Sequence, residues 1–405
     1  MATYTIITLG CRANQADSEL IEELLLKAGL RRGEVNQAAD IGIVNSCTVT
    51  QEADRKTGQM LRRLLAKCKV VVLTGCGAAR KGGMAGRVPE GVVVVPPQER
   101  EDILKYLGLS INLTNLPKTK SLFGRHRTRA LLKVQEGCNH MCTFCIVPLV
   151  RGPLRSWQIE ELLPKVNKLV DEGYREIVFT GTHLALWGRR EGKDLADLIE
   201  GLIENTSGVR FRISSIEPMS FPRRIFALMR SHPDRLCPHL HLVIQHASDK
   251  ILRSMHRDYT LAEYESLATE FIKTVPGAVL TTDVLLGFPG ETEEDIAILE
   301  DYLRRRPFYH LHIFPYSKRQ GTVAASLPDQ VEESVKKERV HRLMSLGEEL
   351  AQGVYDSFKG QRRPILIERK SQKPGFMLGT ADNFLSVEVP GDESLIGQIV
   401  MEEIR

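Results

Sequence analysis

At 405 residues, with 42% hydrophobic and 26% charged side chains, the chain is long enough for roughly two or three domains with ordinary cores, which excludes wholesale disorder. A net charge of +4 does not by itself demand a polyanionic partner, so nucleic-acid binding has to be argued from where the charges stand. The first residues lack the basic start and apolar run of a secretory signal, and no stretch of about 18 apolar residues runs unbroken, so a soluble, cytoplasmic protein without membrane contact is expected.

In that compartment the 8 cysteines read as metal ligands or reactive thiols in preference to disulfides. Apolar runs at Tyr4–Thr8, Ile41–Asn45, Val70–Thr74 and Val92–Val95 predict strands, and the patterns Ser18–Ala28, Glu52–Ala66 and Glu99–Leu107 predict helices. Such alternation implies a parallel sheet in an N-terminal α/β sandwich over residues 1–117, interrupted at Pro117. Cys11, Cys47 and Cys76 each follow a strand, in Leu9-Gly10-Cys11, Asn45-Ser46-Cys47 and Thr74-Gly75-Cys76. Parallel strands end on one edge of their sheet, so these thiols can converge although far apart in sequence. Gly10, Gly75 and Gly77 leave room for a bulky group, and the following helix N-termini offer positive dipole ends. One cysteine at such a place is an ordinary small apolar residue. The repeated placement points to a metal centre, whereas Cys68 and Cys237 lack that setting and are read as ordinary residues.

Residues 118–129 form a basic linker in which Lys118, Lys120, Arg125, Arg127 and Arg129 occur without an acidic residue. A solvated linker and a phosphate-binding segment are equally good readings until position is considered; its place ahead of the next cysteine motif favours RNA. Strands at Ala130–Val134, Glu176–Thr180, Val209–Ser214, His239–Ile244, Val279–Leu286 and His310–Phe314, with helical patterns between, predict a partial (β/α)6 barrel over 130–328, with functional groups at the C-terminal strand ends. Directly after the first of these comes CNHMCTFC, holding Cys138, Cys142 and Cys145. A structural zinc site wants a fourth ligand, for which His140 is awkwardly placed between two of the cysteines. A cubic four-iron cluster needs only these three and keeps one iron open, where the amino and carboxylate groups of S-adenosylmethionine are the expected ligand. Phe144 suits either packing or the adenine of that cofactor.

One helix is expected over 329–358, rich in Glu, Lys, Arg and Leu, with Gly360 as its stop. Short β-prone runs at Pro364–Ile367, Phe376–Thr380, Leu385–Val389 and Ile396–Met401 then predict a small β-barrel over 359–405. Arg362 and Arg363 head its basic edge and are candidate RNA contacts, and Phe376 and Phe384 are read as core or as stacking platforms.

Over essentially its whole length the chain resembles the methylthiotransferase family of radical S-adenosylmethionine enzymes. The resemblance rests on TLGCRANQ (Thr8–Gln15), VNSCTVTQEADRK (Val44–Lys56), CIVP (Cys145–Pro148), RGPLRS (Arg151–Ser156), GFPGETEED (Gly287–Asp295) and FPYSKRQGT (Phe314–Thr322). Asn14-Gln15 and CTVTQEADRK (Cys47–Lys56) are most similar to the branch acting on N6-threonylcarbamoyladenosine at tRNA position 37, and TGTH (Thr180–His183) and SSIEP (Ser214–Pro218) agree with it. QHAS (Gln245–Ser248) departs from it and is closer to the branch modifying a ribosomal-protein aspartate. Isopentenyladenosine-37 of tRNA is a further alternative substrate.

The resemblance implies two [4Fe-4S] clusters, one per cysteine triad, and two molecules of S-adenosylmethionine per turnover. The central cluster would generate a radical able to take hydrogen from carbon 2 of adenine, which offers no acidic proton and no leaving group; the N-terminal cluster would deliver sulfur. Phe144, Gly181, Thr182, Glu217 and Gln245 are carried over as cofactor-binding residues, though each also suits a turn, cap or packing role. No side chain beyond the cluster ligands is given a catalytic role, and His183, His246 and Asp283 are left as hydrogen-bonding residues. The C-terminal module resembles the TRAM domain. The implied partners are a tRNA anticodon stem-loop, a low-potential electron donor such as a flavodoxin or ferredoxin, and a sulfur source.

Overall fold

The computed structural model describes residues 1–34, 37–79, 81–84, 87–110 and 128–405, so the predicted contacts Lys118, Lys120, Arg125 and Arg127 lie outside the described residues. The chain forms two compact units that do not follow chain order: the first joins the N-terminal residues to Glu136–Arg155 and Ser317–Ser326, and the second holds most of the remainder.

In the first unit β1 (Thr3–Thr8), β2 (Arg31–Arg32), β3 (Ala39–Ser46), β4 (Cys68–Gly75) and β5 (Val92–Val94) make a five-stranded sheet in the order β2-β1-β3-β4-β5. Every pairing is parallel. Alternate side chains of a strand face opposite ways, so Ile43 and Val72 pack with Ile21 and Leu25 of α1 (Arg12–Lys27) and with Ile103 of α3 (Ile103–Tyr106). Val44, Val71 and Leu73 pack with Leu61 and Leu64 of α2 (Gln51–Leu65) on the other face. The sandwich predicted from sequence is thus present, with two shifts. Helix α1 starts at Arg12 and not at Ser18, because the polar Asn14 and Asp17 are buried helical residues with partners, Ser46 O for Asn14 and Arg151 for Asp17. The helix read over Glu99–Leu107 is mostly a 3-10 segment, Pro97–Asp102, before the single turn of α3.

The second unit carries β6 (Ala130–Lys133), β9 (Glu176–Thr180), β10 (Arg210–Ile213), β11 (Ser215–Ile216), β12 (His239–Leu242), β13 (Val279–Leu286) and β14 (Phe308–Pro315), while β7 (Gln135–Glu136) and β8 (Arg155–Ser156) each fall across the division of the two units. The long strands pair in parallel, β6 to β9 to β10 and β11 to β12 to β13 to β14. The third predicted strand is β10; just past its predicted end, after Ser214, a further short strand not read from the sequence, β11, begins the second of the two sheets of an open barrel whose strands run in chain order. Helices returning between strands are started by side-chain caps, as where Thr260 and Thr292 accept the amides of Glu263 and Asp295.

The long C-terminal helix runs Glu333–Ser357, followed by β15 (Arg362–Lys370), β16 (Phe376–Ala381), β17 (Ser386–Pro390) and β18 (Ile399–Glu403). These form an antiparallel sheet, β17-β16-β15-β18, curled around Ile365, Ile367, Met377, Leu385, Val387 and Val389. Its hydrogen bonds leave β17 and β18 as edges, so the small barrel expected from sequence is a curled, open sheet. Among the described residues no helix is long and apolar enough to cross a membrane.

Candidate functional site

The register of the first sheet sets the N-terminal cysteines. Thr8 pairs with Asn45 and Asn45 with Thr74, so β1, β3 and β4 end level, and Cys11, Cys47 and Cys76 follow within a few residues on that edge. Gly75 is required there: its φ is 80°, and a Cβ would lie 2.3 Å from the Asn45 Oδ1 and 2.5 Å from the Ser46 carbonyl. A Cβ on Gly10 would stand 2.8 Å from that of Cys47. Asn14 ties the edge together, its Nδ2 donating to Ser46 O at 2.7 Å and its Oδ1 lying 3.4 Å from Cys11 Sγ.

Burial pushes the Cys47 thiol up to about 12, with the neighbouring Cys76 and Cys11 adding to the effect. Burial raises Cys76 as well, against the pull of Arg151. Neutral thiols are the expected form without a metal, and metal binding would displace their protons.

The same compact unit holds the central triad. Cys138, Cys142 and Cys145 are half-buried, and none of the eight cysteines is in a disulfide. The loop is shaped by its backbone: Cys145 N donates to Cys142 O at 3.1 Å, Cys138 N to Gly152 O at 3.2 Å, and His140 N to Cys138 Sγ at 3.4 Å. Ile146 and Val150 then pack on Cys76 and Ala79, and α4 (Val147–Arg151) ends with Arg151 beside the first triad.

Arg151 is a residue that sequence reasoning passed over, although it begins the RGPLRS segment. Its Nε donates to Cys76 Sγ at 3.2 Å, Nη2 to Asn14 Oδ1 at 2.9 Å, and Nη1 to both Asp17 and Glu136 at 2.7 Å. Arg100 braces the same carboxylates, at 3.0 Å from Asp17 and 2.5 Å from Glu136. Burial works against the Arg151 charge, but the facing sulfur and carboxylates outweigh it and hold the guanidinium protonated. Elsewhere in this unit Arg319, from FPYSKRQGT, donates to Thr48 and Asp54 at 2.8 and 2.6 Å, which joins two signature segments.

Among the described residues no three His, Cys, Asp or Glu side chains are gathered around a point where one metal ion would sit. A cubic cluster makes a different demand, since each thiolate binds its own corner iron.

In the second unit the predicted cofactor residues occupy strand ends. Buried Gln135 holds the loop after β9, its Oε1 accepting from Thr182 N at 2.9 Å and His183 N at 2.8 Å, and a Cβ on Gly181 would lie 2.7 Å from that oxygen. Glu217 pairs with buried Arg257 at 2.8 Å. Gln245 adopts a left-handed φ of 60°, fixed by Gln245 N to Asp283 O at 3.0 Å and Leu285 N to Gln245 O at 2.9 Å. Phe144 is half-buried in the cysteine loop of the first unit.

A hydrogen-bonded row crosses the barrel strands just below Gln245. Thr281 Oγ1 meets His239 at 3.0 Å and His241 at 2.8 Å, and Asp283 meets His241 at 2.9 Å and His312 at 3.3 Å. Burial would raise Asp283, but hydrogen bonds from the two histidines hold it well below the usual carboxylate range. His246 is fully buried; although its Nε2 lies 3.6 Å from Glu291, Arg339 already neutralises that carboxylate at 2.7 Å. Burial therefore lowers His246 to about 4, and its Nδ1 accepts the Ser248 amide at 2.9 Å, as only an unprotonated nitrogen can.

Of the predicted RNA contacts that are described, Arg129 is engaged by Glu368 at 2.7 Å and Arg363 by Asp382 at 2.7 and 2.9 Å. Arg362 is exposed and donates to Met401 O at 3.0 Å. Phe384 stacks on His239 with ring centres 4.2 Å apart.

Comparison with known proteins adds to this geometry. Residues 132–303 match the Radical SAM superfamily, and residues 3–95 match the Uncharacterized protein family UPF0004. The chain is 38% identical over 424 residues to a threonylcarbamoyladenosine tRNA methylthiotransferase of Bacillus subtilis, covering 100% of this chain and 94% of that protein. It is 32% identical to a tRNA-2-methylthio-N(6)-dimethylallyladenosine synthase of Moorella thermoacetica, covering 98% and 94%. Among solved structures, the radical S-adenosylmethionine methyltransferase TsrM of Kitasatospora setae, with cobalamin and a [4Fe-4S] cluster bound, superposes with a TM-score of 0.57 at 11% identity, covering 80% of this chain and 77% of that one. At that identity the match speaks for the fold alone.

Proposed function

We propose, on the premise that the chain belongs to the radical S-adenosylmethionine methylthiotransferases, that it converts N6-threonylcarbamoyladenosine at position 37 of tRNA to its 2-methylthio derivative. The observation that carries the choice of substrate is the 38% identity, over the whole chain, to the B. subtilis enzyme named for it. Relatives named for dimethylallyladenosine stand at 31% to 33%.

Two cysteine triads in one unit fit two clusters of the kind the family uses. Cys11, Cys47 and Cys76 would hold one and Cys138, Cys142 and Cys145 the other, each with a corner iron left to a non-protein ligand. When bound, these clusters and S-adenosylmethionine would supply reductive cleavage of the cofactor and the sulfur to be transferred.

The chain's own residues do the rest. Gly10 and Gly75 keep space at the strand ends, burial of Cys76 keeps water from one side of the first site, and Arg151 offers it a fixed donor. In the barrel Gln135 clamps the Gly181–His183 turn, and the Glu217–Arg257 pair offers one charge of each sign, matched to an amino acid's ammonium and carboxylate. Gln245, in a strained left-handed conformation, follows shortly after β12. The tRNA contacts are assigned to the 118–129 segment and Arg362, and a low-potential flavodoxin or ferredoxin and a separate sulfur source are expected as partners.

The QHAS segment and the relatives named for dimethylallyladenosine favour a second reading, in which the same chemistry acts on a ribosomal-protein aspartate or on isopentenyladenosine. Nucleoside mass spectrometry of tRNA from cells with and without the gene separates these. Disappearance of 2-methylthio-threonylcarbamoyladenosine is the expected result. Loss of the isopentenyl derivative, or unchanged tRNA, would overturn the substrate chosen.

A further inference from the structure

We infer that Arg151 is a positioning residue that sets the reduction potential of the centre held by Cys11, Cys47 and Cys76, through a direct N–H···S hydrogen bond to Cys76. The inference rests on the cluster assignment above and assigns a residue that the assignment itself does not need.

The geometry is specific. The guanidinium is 1% exposed, and its donors go to one sulfur, one amide oxygen and two carboxylates. Through Asn14 Oδ1 the same fork also reaches the residue beside Cys11 Sγ. The charges are balanced before any metal is considered: Arg100 and Arg151 face Asp17 and Glu136, two against two. The bond to Cys76 is therefore not demanded by local neutrality, since both carboxylates already have a cation.

An N–H donor on a ligand sulfur stabilises the more negative, reduced state of an iron–sulfur centre, and so raises its potential; a buried setting makes the effect larger. Lysine cannot reproduce the arrangement, because a point ammonium has no planar fork to reach sulfur, amide and both carboxylates at once. Arg151 also follows the second triad by a few residues in sequence, so the loop that carries Cys138, Cys142 and Cys145 supplies the donor to the other triad.

The test uses full-length chains with a single centre each. In one parent Cys138, Cys142 and Cys145 are alanine, leaving only the N-terminal centre; in the other Cys11, Cys47 and Cys76 are alanine. Into both go Arg151→Lys and the charge-balanced pair Arg151→Met with Glu136→Gln, which removes one cation and one anion together. Folding is checked by circular dichroism, and midpoint potentials are read by redox titration followed by electron paramagnetic resonance. We expect both changes to lower the midpoint of the N-terminal centre, the double variant further, and to leave the other centre where it was. If the double variant fails to fold, the lysine variant alone decides. An unmoved midpoint in the first parent, or an equal shift in both, overturns the inference. A first parent that holds no iron before Arg151 is touched sinks the cluster assignment itself, a distinct result.

Discussion

Replacing Glu176 with glutamine tests the argument that the C-terminal sheet is locked to the barrel by a buried charge cluster. Glu176 is fully buried on β9 and accepts from Arg210 at 2.7 Å and from Arg212 at 2.7 and 3.1 Å. Those guanidiniums, 5% and 1% exposed, also donate to carbonyls of the curled sheet: Arg210 to Pro364 at 2.9 Å, and Arg212 to Ala381 and Asp382 at 3.0 and 2.9 Å. Burial alone would raise Glu176, but Arg212 and Arg210 overcome it and hold the carboxylate ionised.

Glutamine keeps the shape, so no cavity opens, yet it leaves two buried cations without their shared anion. Breaking one such pair costs about 3–5 kcal/mol, a large part of the ~5–15 kcal/mol that holds a domain folded. Equilibrium urea unfolding at neutral pH should show a loss in that range, and hydrogen exchange should rise across β15–β17 and leave β1–β4 unchanged. The penalty should also shrink in acid. A carboxylate with a depressed folded pKa contributes its full stability above its unfolded value of 4.5, and that contribution is lost progressively as pH falls from there toward the far lower folded value, so wild type and variant draw together only in strong acid. A loss under about 1 kcal/mol, or exchange confined to β9 and β10, would refute the idea that this cluster anchors the sheet.

His246 should make the protein acid-sensitive over a higher range. Its folded pKa lies near 4 against 6.5 unfolded, so its neutral form stabilises fully above pH 6.5 and about 3 kcal/mol is lost as pH falls toward 4. His246→Asn, which can still accept the Ser248 amide, should flatten that slope in denaturant titrations between pH 7 and 4; an unchanged slope would mean that another group is responsible. Of the cysteines, Cys142→Ala should abolish both S-adenosylmethionine cleavage and methylthiolation. Cys76→Ala should retain cleavage, measured as 5′-deoxyadenosine, while losing sulfur insertion. A Cys76 variant that still methylthiolates would contradict the division of labour between the triads.

What could be read from the sequence was the apolar patterning. The apolar runs Ile41–Asn45 and Val70–Thr74 named strands of the first sheet, and three cysteines following strands carried the inference of a shared edge, which the register of β1, β3 and β4 produces. Polar residues buried by their partners were illegible. Asn14 and Asp17 fell outside the helix read from Ser18 because polarity reads as exposure, yet they are buried in the start of α1, Asn14 hydrogen-bonded to the strand end at Ser46 and Asp17 paired with Arg151. The carboxylates facing Arg363 and Arg129 were equally illegible, since a positive charge in sequence gives no sign that Asp382 or Glu368 pairs with it. The short strand β11 was hidden because Ser215–Ile216 is too brief to show a period and falls out of the alternation of Val209, Phe211 and Ile213.

Distance along the chain also misleads about which groups respond together. Strand β6 belongs to the second unit, whereas the loop that follows it, with the central triad, belongs to the first. Ile146 and Val150 are buried on Cys76 and Ala79, and Arg151 closes a quartet with Asp17, Glu136 and Arg100. Packing and ion pairing therefore link the triad at residues 138–145 to cysteines that begin at residue 11. If a metal centre at the strand-end cysteines favours the Arg151 arrangement, then by linkage a change that disorders the central loop would weaken that centre.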